Sequence, residues 1–577
     1  MEKRAILAAV LSMLVLIGYQ IFFVEPQMQA RRQAQQEAER KAAQARQETA
    51  KKQAVEREAV PRERPRPPSP LPSSPPSAAA PKDIVVDTGV ARIVLTTLGA
   101  GIKELTLRHY KDAGGEPLNL VAKPKDGKAA AGARRLPLYL DGGESLAERA
   151  NRAVFSVKPE ALTLTPERPE GTLEFLYRSP RGGTVSKTLR FRHGSYAADV
   201  TLRWEGSRSS EGLAVLWGPG IASEGHEEDR YATTGPVTYR GGKLVFTDDG
   251  DLEGGKAVVQ KGGVQWTSLH SKYFMAALIP RAGFDAAVIK REGKDDGVLV
   301  GLRFAGGPEG EGKLSLFAGP KDQTILKAYG SSLEEAIDLG WFSFVAKPLL
   351  VALRFFHNLT QSYGLAIIIL TVLIKVIFYP LTQKSTKSMQ EMQKLQPKMK
   401  QIREIFKDDR QRMNEEVMKL YREHKVNPLG GCLPMVLQIP VFFALYNVLL
   451  GAIELRQASF LWLRDLSAPE TGLFTIPGVG VEFRLLVLLM GASMFVQQKM
   501  TPMAADPTQQ KMMLFMPILF TFLFWAFPAG LVVYWLANNV LSIGQQYFTL
   551  RAAKQPAKPP PAKLSARARK TSKAGKG

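Results

Sequence analysis

The sequence predicts a membrane protein with an α-helical core and a large exported β-sandwich domain. Apolar residues are concentrated in two places, one near the N-terminus and one between about residues 340 and 550. Between them, residues 83–333 alternate apolar and polar side chains in short runs that end at Gly, Pro or Asp, as β-strands do. The mean hydropathy of −0.10 therefore averages two different populations of residues.

The composition is strongly basic and nearly free of cysteine. The 577 residues include 77 Lys and Arg against 54 Asp and Glu, a formal net charge of +23. A single cysteine excludes an intrachain disulfide framework and a cysteine-cluster metal site. Hydrophobic residues make up 45% of the chain, which is enough for a sizeable core and excludes wholesale disorder.

Residues 1–24 are predicted to form an N-terminal transmembrane anchor. Residues 5–24 carry no charge, and about 20 helical residues at 1.5 Å each cross the ~30 Å hydrocarbon core of a bilayer. The residues that follow do not form a small-residue cleavage site, which favours an uncleaved anchor over a removed signal peptide. Lys3 and Arg4 favour a cytoplasmic N-terminus.

Residues 25–82 are predicted to be a charged and Pro-rich linker, because they bury too little apolar surface to fold alone.

In the β-sandwich domain, residues 83–333, the stretch 250–257 has the spacing of a phosphate-binding loop, but Ala257 lacks the hydroxyl that would bind Mg²⁺. The polar run that begins at His226 is typical of a solvated loop. We therefore expect a binding or spacing module without cofactor or metal, and not an enzyme.

Residues 334–358 are predicted to form an amphipathic helix at the membrane interface, with Lys347 and Arg354 on one face. The membrane core follows at 359–551. Its apolar runs predict five spans, at about 362–381, 430–451, 484–499, 512–527 and 530–549. A cytoplasmic helical hairpin at 384–427 separates the first two, and the N-terminal anchor makes a total of six spans.

The distribution of basic residues predicts the orientation. Lys and Arg are dense in 382–428 and in the acid-free tail 552–577, so both segments and both termini are expected in the cytoplasm. The tail has the composition of a disordered segment that attracts RNA or anionic lipid.

Lys375 is the one ionisable residue deep inside the five later spans. A cation at mid-helix costs about 2.5–3.5 kcal/mol on insertion scales, so it is expected to face water, a cavity or a partner. The alternative is a lysine that extends to the inner membrane surface. Polar residues recur at helical spacing on several spans and predict a hydrophilic groove around the cation, with Thr371, Gln438, Ser493, Tyr534, Asn538 and Ser542 among its members.

Two other classes of membrane protein are disfavoured. A small-ion transporter would show inverted repeats and acidic coupling residues in the spans, and the sequence shows neither. An intramembrane hydrolase would need a catalytic pair, for which Lys375 with Ser542 is the sole conceivable choice.

Residues 340–551 resemble the YidC/Oxa/Alb family of membrane protein insertases. The resemblance rests on Tyr379-Pro-Leu-Thr, Val426-Asn-Pro-Leu-Gly-Gly-Cys432-Leu-Pro, Gln438-Ile-Pro-Val-Phe-Phe-Ala-Leu-Tyr, Glu454-Leu-Arg-Gln-Ala, Gln498-Lys-Met-Thr-Pro and Phe515-Met-Pro. The anchor and exported domain resemble the layout of the Gram-negative YidC form, which implies a periplasmic β-supersandwich. The resemblance implies an insertase and chaperone of the bacterial inner membrane that acts on nascent membrane proteins, alone or with the Sec translocon.

The family's groove carries a positive residue that matches Lys375 here, where bacterial members usually have arginine. Four residues match further groove positions, namely Thr371, Phe442, Met494 and Tyr534, and Trp535 stands where a second tyrosine is common. The basic tail resembles the ribosome-contacting extension of some members, so the expected partners are clients, Sec, the ribosome and lipid, and not DNA.

The hairpin allows two interpretations. Its apolar spacing, including Met389, Met392 and Met399, predicts two amphipathic helices too hydrophilic to span the membrane. It is either a solvated, charge-covered hairpin or a surface on which nascent clients land through these methionines.

Overall fold

The computed structural model describes residues 80–122, 135–142, 146–180, 182–207, 212–222, 234–291, 297–424, 426, 433–474, 482–500 and 507–554. The chain divides into two units, 1–77 and 78–577, and the described residues all belong to the second. The predicted anchor, nearly all of the predicted linker, the run at His226, Cys432 and the tail beyond 554 lie outside the described residues.

Nineteen strands are described between residues 83 and 320. In chain order they are β1 (Asp83–Asp87), β2 (Ala91–Thr96), β3 (Gly101–Lys111), β4 (Pro117–Asn119), β5 (Tyr139–Asp141), β6 (Ser156–Lys158), β7 (Leu162–Thr163), β8 (Glu170–Arg178), β9 (Thr184–Arg192), β10 (Ala197–Glu205), β11 (Ala214–Trp217), β12 (Gly235–Arg240), β13 (Lys243–Phe246), β14 (Val258–Lys261), β15 (Val264–His270), β16 (Phe274–Ala282), β17 (Phe284–Lys290), β18 (Leu299–Phe304) and β19 (Glu309–Pro320).

The strands form three sheets. Their orders are β4-β3-β2-β1-β7, β13-β12-β15-β16-β19-β10-β9-β8-β6 and β14-β17-β18-β11-β5. Burial alternates along β9 and β10: Leu189 and Phe191 of β9, and Val200, Leu202 and Trp204 of β10, are buried between more exposed neighbours. The stretch 250–257 lies between β13 and β14, and most of it belongs to a 3₁₀ segment, Asp249–Gly255.

Lys187 is an exception on the inward face of β9. Its side chain is 1% exposed, and its Nζ donates hydrogen bonds to the carbonyl oxygens of Gly99 at 2.7 Å, Leu138 at 2.7 Å and Ala100 at 3.3 Å. Burial lowers the pKa of Lys187 to about 7. The lysine therefore ties β9 to the segments that precede β3 and β5.

The helices are α1 (Leu146–Arg152), α2 (Gln323–Tyr329), α3 (Ser343–Thr360), α4 (Tyr363–Lys394), α5 (Gln396–Ile405), α6 (Arg410–Glu423), α7 (Leu433–Gly451), α8 (Leu485–Met500), α9 (Pro507–Leu523) and α10 (Ala529–Lys554). Three more 3₁₀ turns span Leu333–Ala336, Ile453–Leu455 and Phe524–Ala526. One apolar cluster joins α3, α4, α7, α8 and α10 through buried side chains that include Leu350, Leu370, Leu445, Met490 and Val532.

The prediction that the hairpin begins at residue 384 is wrong, because α4 continues past that residue and the first hairpin helix, α5, begins at Gln396. Helix α4 is one helix of 32 residues that continues to Lys394. Residues 384–394 contain no Gly or Pro, so nothing in their sequence ends the helix at the membrane surface. The break comes at Leu395, just before Pro397 in the first turn of α5, and the hairpin itself consists of α5 and α6.

Length and apolar composition qualify α4, within the described part of the chain, as a helix able to cross a membrane. The described residues also include three shorter apolar helical stretches. Gln438–Gly451 lies in α7, Leu485–Met500 is α8, and Leu514–Ala526 covers the end of α9 and the 3₁₀ turn that follows it.

Side chains of the turn after α7 join the helical core to the sheet domain. The guanidinium of Arg456 donates to the carbonyl oxygen of Lys111 at the end of β3 and lies over the ring of Phe274, 5.5 Å from its centroid. Ile453 is buried in the sheet domain's own apolar core. The helical core and the sheet domain are thus in direct contact.

Candidate functional site

The central contact of the candidate site joins α4 to α10. Nζ of Lys375 lies 2.7 Å from Oγ of Ser542. The same Oγ donates its hydrogen to the backbone carbonyl of Asn538, also at 2.7 Å. Ser542 is 7% exposed and Lys375 is partly buried. Among the described residues, no carboxylate lies within ion-pair distance of Lys375.

Other polar residues predicted for the groove form hydrogen bonds whose partners the sequence did not determine. Thr371 is buried, and its hydroxyl donates to the carbonyl of Ile367 on its own helix at 2.7 Å. Ser493 of α8 accepts a hydrogen bond from the side chain of Asn539 at 2.9 Å. Sequence reasoning chose Asn538 and missed Asn539, although Trp535, Asn539 and Ser542 share one face at i, i+4 and i+7.

Aromatic side chains of α7, α10 and the 3₁₀ turn after α9 form a second group of contacts. Trp535 contacts the edge of Phe442 with ring centroids 5.1 Å apart, and Phe524 with centroids 4.8 Å apart. Tyr534 is 2% exposed and hydrogen-bonded to Gln438. Met494 packs against the same apolar cluster. The predicted residues Gln438, Phe442, Met494, Tyr534 and Trp535 thus join α7, α8 and α10.

A carboxylate that sequence reasoning missed fixes the loop between α7 and α8. Glu470 is 3% exposed, and its oxygens accept hydrogen bonds from Nε1 of Trp462 at 2.8 Å and from the backbone N–H of Leu486 at 2.9 and 3.1 Å. The backbone N–H groups of Ala529 and Gly530, at the start of α10, donate into the same loop at 2.8 Å. Hydrogen bonds therefore fix the loop to the first turns of α8 and α10, a set of contacts called the loop latch below.

The methionines predicted to contact clients differ in their surroundings. Met399 is buried between α5 and α6, where its sulfur accepts a hydrogen bond from the hydroxyl of Tyr421 at 3.0 Å, and Met392 packs against the same cluster. Met399 is therefore part of the contact between the two hairpin helices, and Met392 packs against that contact from the end of α4. Met389 is partly buried on α4 and lies outside that cluster.

Together these features define a helical core with a polar, cationic site, one helix of which is long and apolar enough to cross a membrane, and a sheet-rich domain attached to that core. Comparisons with known proteins identify the family. Residues 355–556 match the family described as 60Kd inner membrane protein, and residues 83–352 match the YidC periplasmic domain. Proteins named membrane protein insertase YidC are similar over nearly the whole chain. The one from Geobacter sulfurreducens is 42% identical over 96% of this chain and 99% of its own.

The protein of the same name from Syntrophus aciditrophicus is 39% identical over 96% of this chain and 100% of its own. A crystal structure of an active YidC insertase covers 81% of this chain and 92% of its own, at 20% identity and a TM-score of 0.34. The chain belongs to the YidC family of membrane protein insertases. It is an inner-membrane insertase with a periplasmic domain, its substrates are nascent membrane proteins, and its family is not a family of enzymes.

Proposed function

We propose that the protein inserts and helps to fold its clients through a hydrophilic, positively charged groove in the helical core, alone or with the Sec translocon. The proposed groove residues are Thr371, Lys375, Gln438, Phe442, Met494, Tyr534, Trp535, Asn538 and Ser542. One observation carries the proposal: the ammonium of Lys375 is bonded to the hydroxyl of Ser542, and no described carboxylate neutralises it.

An acidic segment of the client provides the missing anion. A lysine ammonium has three N–H donors, and Ser542 accepts from one, so two remain for a carboxylate. The isolated cation costs about 2.5–3.5 kcal/mol inside a bilayer on insertion scales, and an ion pair offsets part of that cost. The client's apolar helix then leaves between α4 and α8, driven by hydrophobic partitioning and by the membrane potential on its acidic tail. No covalent step is required.

The length of two core helices supports easier passage of polar chain. At 1.5 Å per residue, α8 with 16 residues and α9 with 17 are about 24 and 26 Å long. Both are shorter than the ~30 Å hydrocarbon core, a mismatch that thins the bilayer locally. A thinner bilayer shortens the path over which a hydrophilic segment is dehydrated.

We further propose six spans, with both termini in the cytoplasm and the sheet domain, 83–333, in the periplasm. The first span is the anchor at 1–24, joined by the linker 25–82, and the other five are α4, α7, α8, α9 and α10 in the core, 359–551. The density of Lys and Arg in 382–428 and in the tail 552–577 supports this orientation.

Lipid, the Sec translocon and the ribosome are the proposed partners besides clients. Helix α3, which overlaps the proposed interfacial segment 334–358, exposes Phe344, Val351 and Phe355 on one face and buries Leu350 and Leu353 on another, an arrangement suited to the membrane surface. The acid-free tail has the charge to contact ribosomal RNA. The proposed client contacts on the cytoplasmic side are Met389, Met392 and Met399. Because Met399 is buried between the two hairpin helices, these helices must separate before it can contact a client.

The test is insertion into liposomes that contain the purified protein alone. A two-span client with an acidic translocated tail is added, and protease protection of the tail is measured for the native protein, Lys375→Glu, Lys375→Arg and Lys384→Glu. Lys384 is the matched control, because it is exposed on the same helix. We expect Lys375→Glu to lower protection about tenfold, which corresponds to about 1.4 kcal/mol, and the other two variants to retain it.

Other results would change the proposal in defined ways. Equal protection with Lys375→Glu would remove the electrostatic step. Protection no better than that of empty liposomes would favour a chaperone that requires the Sec translocon. A change in client mass would indicate cleavage and contradict insertion without bond chemistry.

A further inference from the structure

We propose that Ser542 is the positioning residue of the groove cation: it holds the ammonium of Lys375 at mid-membrane depth and keeps it from extending to the cytoplasmic surface. This inference rests on the proposed role of Lys375. It gives Ser542 a specific role in placing the ammonium, beyond that of a polar residue in the groove lining.

The two residues lie at the same depth. Lys375 is 12 residues from the start of α4 and Ser542 is 13 residues from the start of α10, about 18 and 20 Å along the two helix axes. Because the Cα–Cβ bonds of a helix tilt toward its N-terminus, the Lys375 side chain leaves α4 in the direction away from Lys384. The contact with Ser542 maintains that direction.

The hydroxyl of Ser542 is oriented by its own helix. Its single hydrogen is donated to the carbonyl of Asn538, so the oxygen presents lone pairs to Nζ of Lys375. The serine therefore acts as a fixed acceptor for the ammonium. Without it, nothing among the described hydrogen bonds retains Nζ, and a four-carbon side chain can extend toward the inner surface, where charge is better hydrated.

Thr549 is an internal control for this role. It lies on the same helix, and its hydroxyl donates to the carbonyl of Gln545 at 2.8 Å, the same i to i−4 bond that Ser542 makes with Asn538. Among the described contacts, the hydroxyl of Thr549 has no lysine partner. Removal of either hydroxyl therefore removes the same kind of side-chain to backbone hydrogen bond from α10. Removal of the Ser542 hydroxyl also removes the acceptor that holds the ammonium of Lys375.

The experiment measures insertion of two clients that differ solely in the translocated tail, one acidic and one uncharged, by full-length protein in liposomes. The variants are Ser542→Thr, Ser542→Val and Thr549→Val, with Lys375→Gln in parallel. Thr and Val have nearly the same shape, so the first two variants differ by a hydroxyl alone. We expect Ser542→Val to lower insertion of the acidic client about three- to tenfold, the factor of an average intramembrane hydrogen bond.

Ser542→Val and Lys375→Gln should lower insertion of the acidic client more than that of the uncharged client, Ser542→Thr should restore insertion of the acidic client, and Thr549→Val should insert both clients like the native protein. An equal loss for both clients with Ser542→Val would mean that Ser542 merely supports the fold, and would overturn the inference. So would unchanged insertion of the acidic client by Ser542→Val while Lys375→Gln impairs it. If Lys375→Gln itself has no effect, the proposed electrostatic step fails, and the positioning role fails with it.

Discussion

The guanidinium of Arg354 in α3 donates to the carboxylate of Glu454 in the turn after α7, with Nε 2.7 Å from Oε1. The two side chains are 21% and 11% exposed, so the pair is largely withdrawn from water. Arg354 also reaches the side chains of Gln323 and Thr324 in α2. A single arginine thus joins the sheet domain, the interfacial helix and the helical core.

Removal of one partner of this pair should destabilise the protein. Arg354→Met leaves the Glu454 carboxylate buried without a cation, a change that typically costs about 3–5 kcal/mol. The exposed pair Lys347 and Glu335, 45% and 41% exposed, is the control, because Lys347→Met should cost less than about 1 kcal/mol. Denaturant unfolding in detergent measures both. Equal effects of the two substitutions would contradict the assigned role of Arg354.

Glu470→Ala should release the loop between α7 and α8. The substitution removes the acceptor of the Trp462 and Leu486 N–H groups, and hydrogen bonds to a charged group contribute about 1.5–3 kcal/mol. We expect faster hydrogen exchange at the amide of Leu486. Glu482→Ala is the control, since that side chain is 47% exposed and paired with Arg484. Unchanged exchange in Glu470→Ala would contradict the loop latch.

The stability contributed by Lys187 should depend on pH. Burial lowers its pKa from 10.5 in the unfolded chain to about 7. Between pH 7 and 10.5 the unfolded state therefore binds the additional proton, and the free energy of unfolding rises with pH over that interval. Urea unfolding at several pH values, with Lys187→Met as reference, measures the difference. A difference between the two proteins that is constant from pH 7 to 10 would contradict the shift.

Close contact between α8 and α9 predicts opposite effects for two glycine substitutions. A Cβ on Gly491 would lie 2.1 Å from Oγ1 of Thr521, whereas a Cβ on Gly544 of α10 would meet nothing within 4 Å. Gly491→Ala should destabilise the protein by about 1–3 kcal/mol. Gly544→Ala should stabilise it by about 0.4–1 kcal/mol, since alanine restricts the unfolded chain. Thermal unfolding in the same detergent compares them, and a neutral Gly491→Ala would contradict the helix contact.

The sequence predicted the elements that depend on local pattern. The alternation in 197–204 and 171–177 identifies strands β10 and β8, because a half-buried strand has a period of two. The apolar runs similarly identify α7 and α8. The end of α4 was predicted too early, because the polarity of 384–394 marks a change of environment and does not stop a helix.

The site was predictable where residue type alone determines the chemistry. Lys375 stands out as an isolated cation in an apolar run, and Ser542 as a hydroxyl on another span. Their pairing depends on the relative rotation of α4 and α10, which periodicity does not determine. Glu470 escaped notice because a carboxylate in a polar loop carries no local signal, and its burial results from the contacts of Trp462 and Leu486 in three dimensions.

A charge-swap experiment tests the central claim most directly. Clients with acidic or basic translocated tails are offered, without a membrane potential, to liposomes that contain the native protein or Lys375→Glu, and protected tail is measured. We expect the native protein to favour the acidic tail and Lys375→Glu to reverse the preference, because the groove charge selects the opposite charge. The same preference in both proteins, or an equal loss for both clients, would contradict an electrostatic role for Lys375.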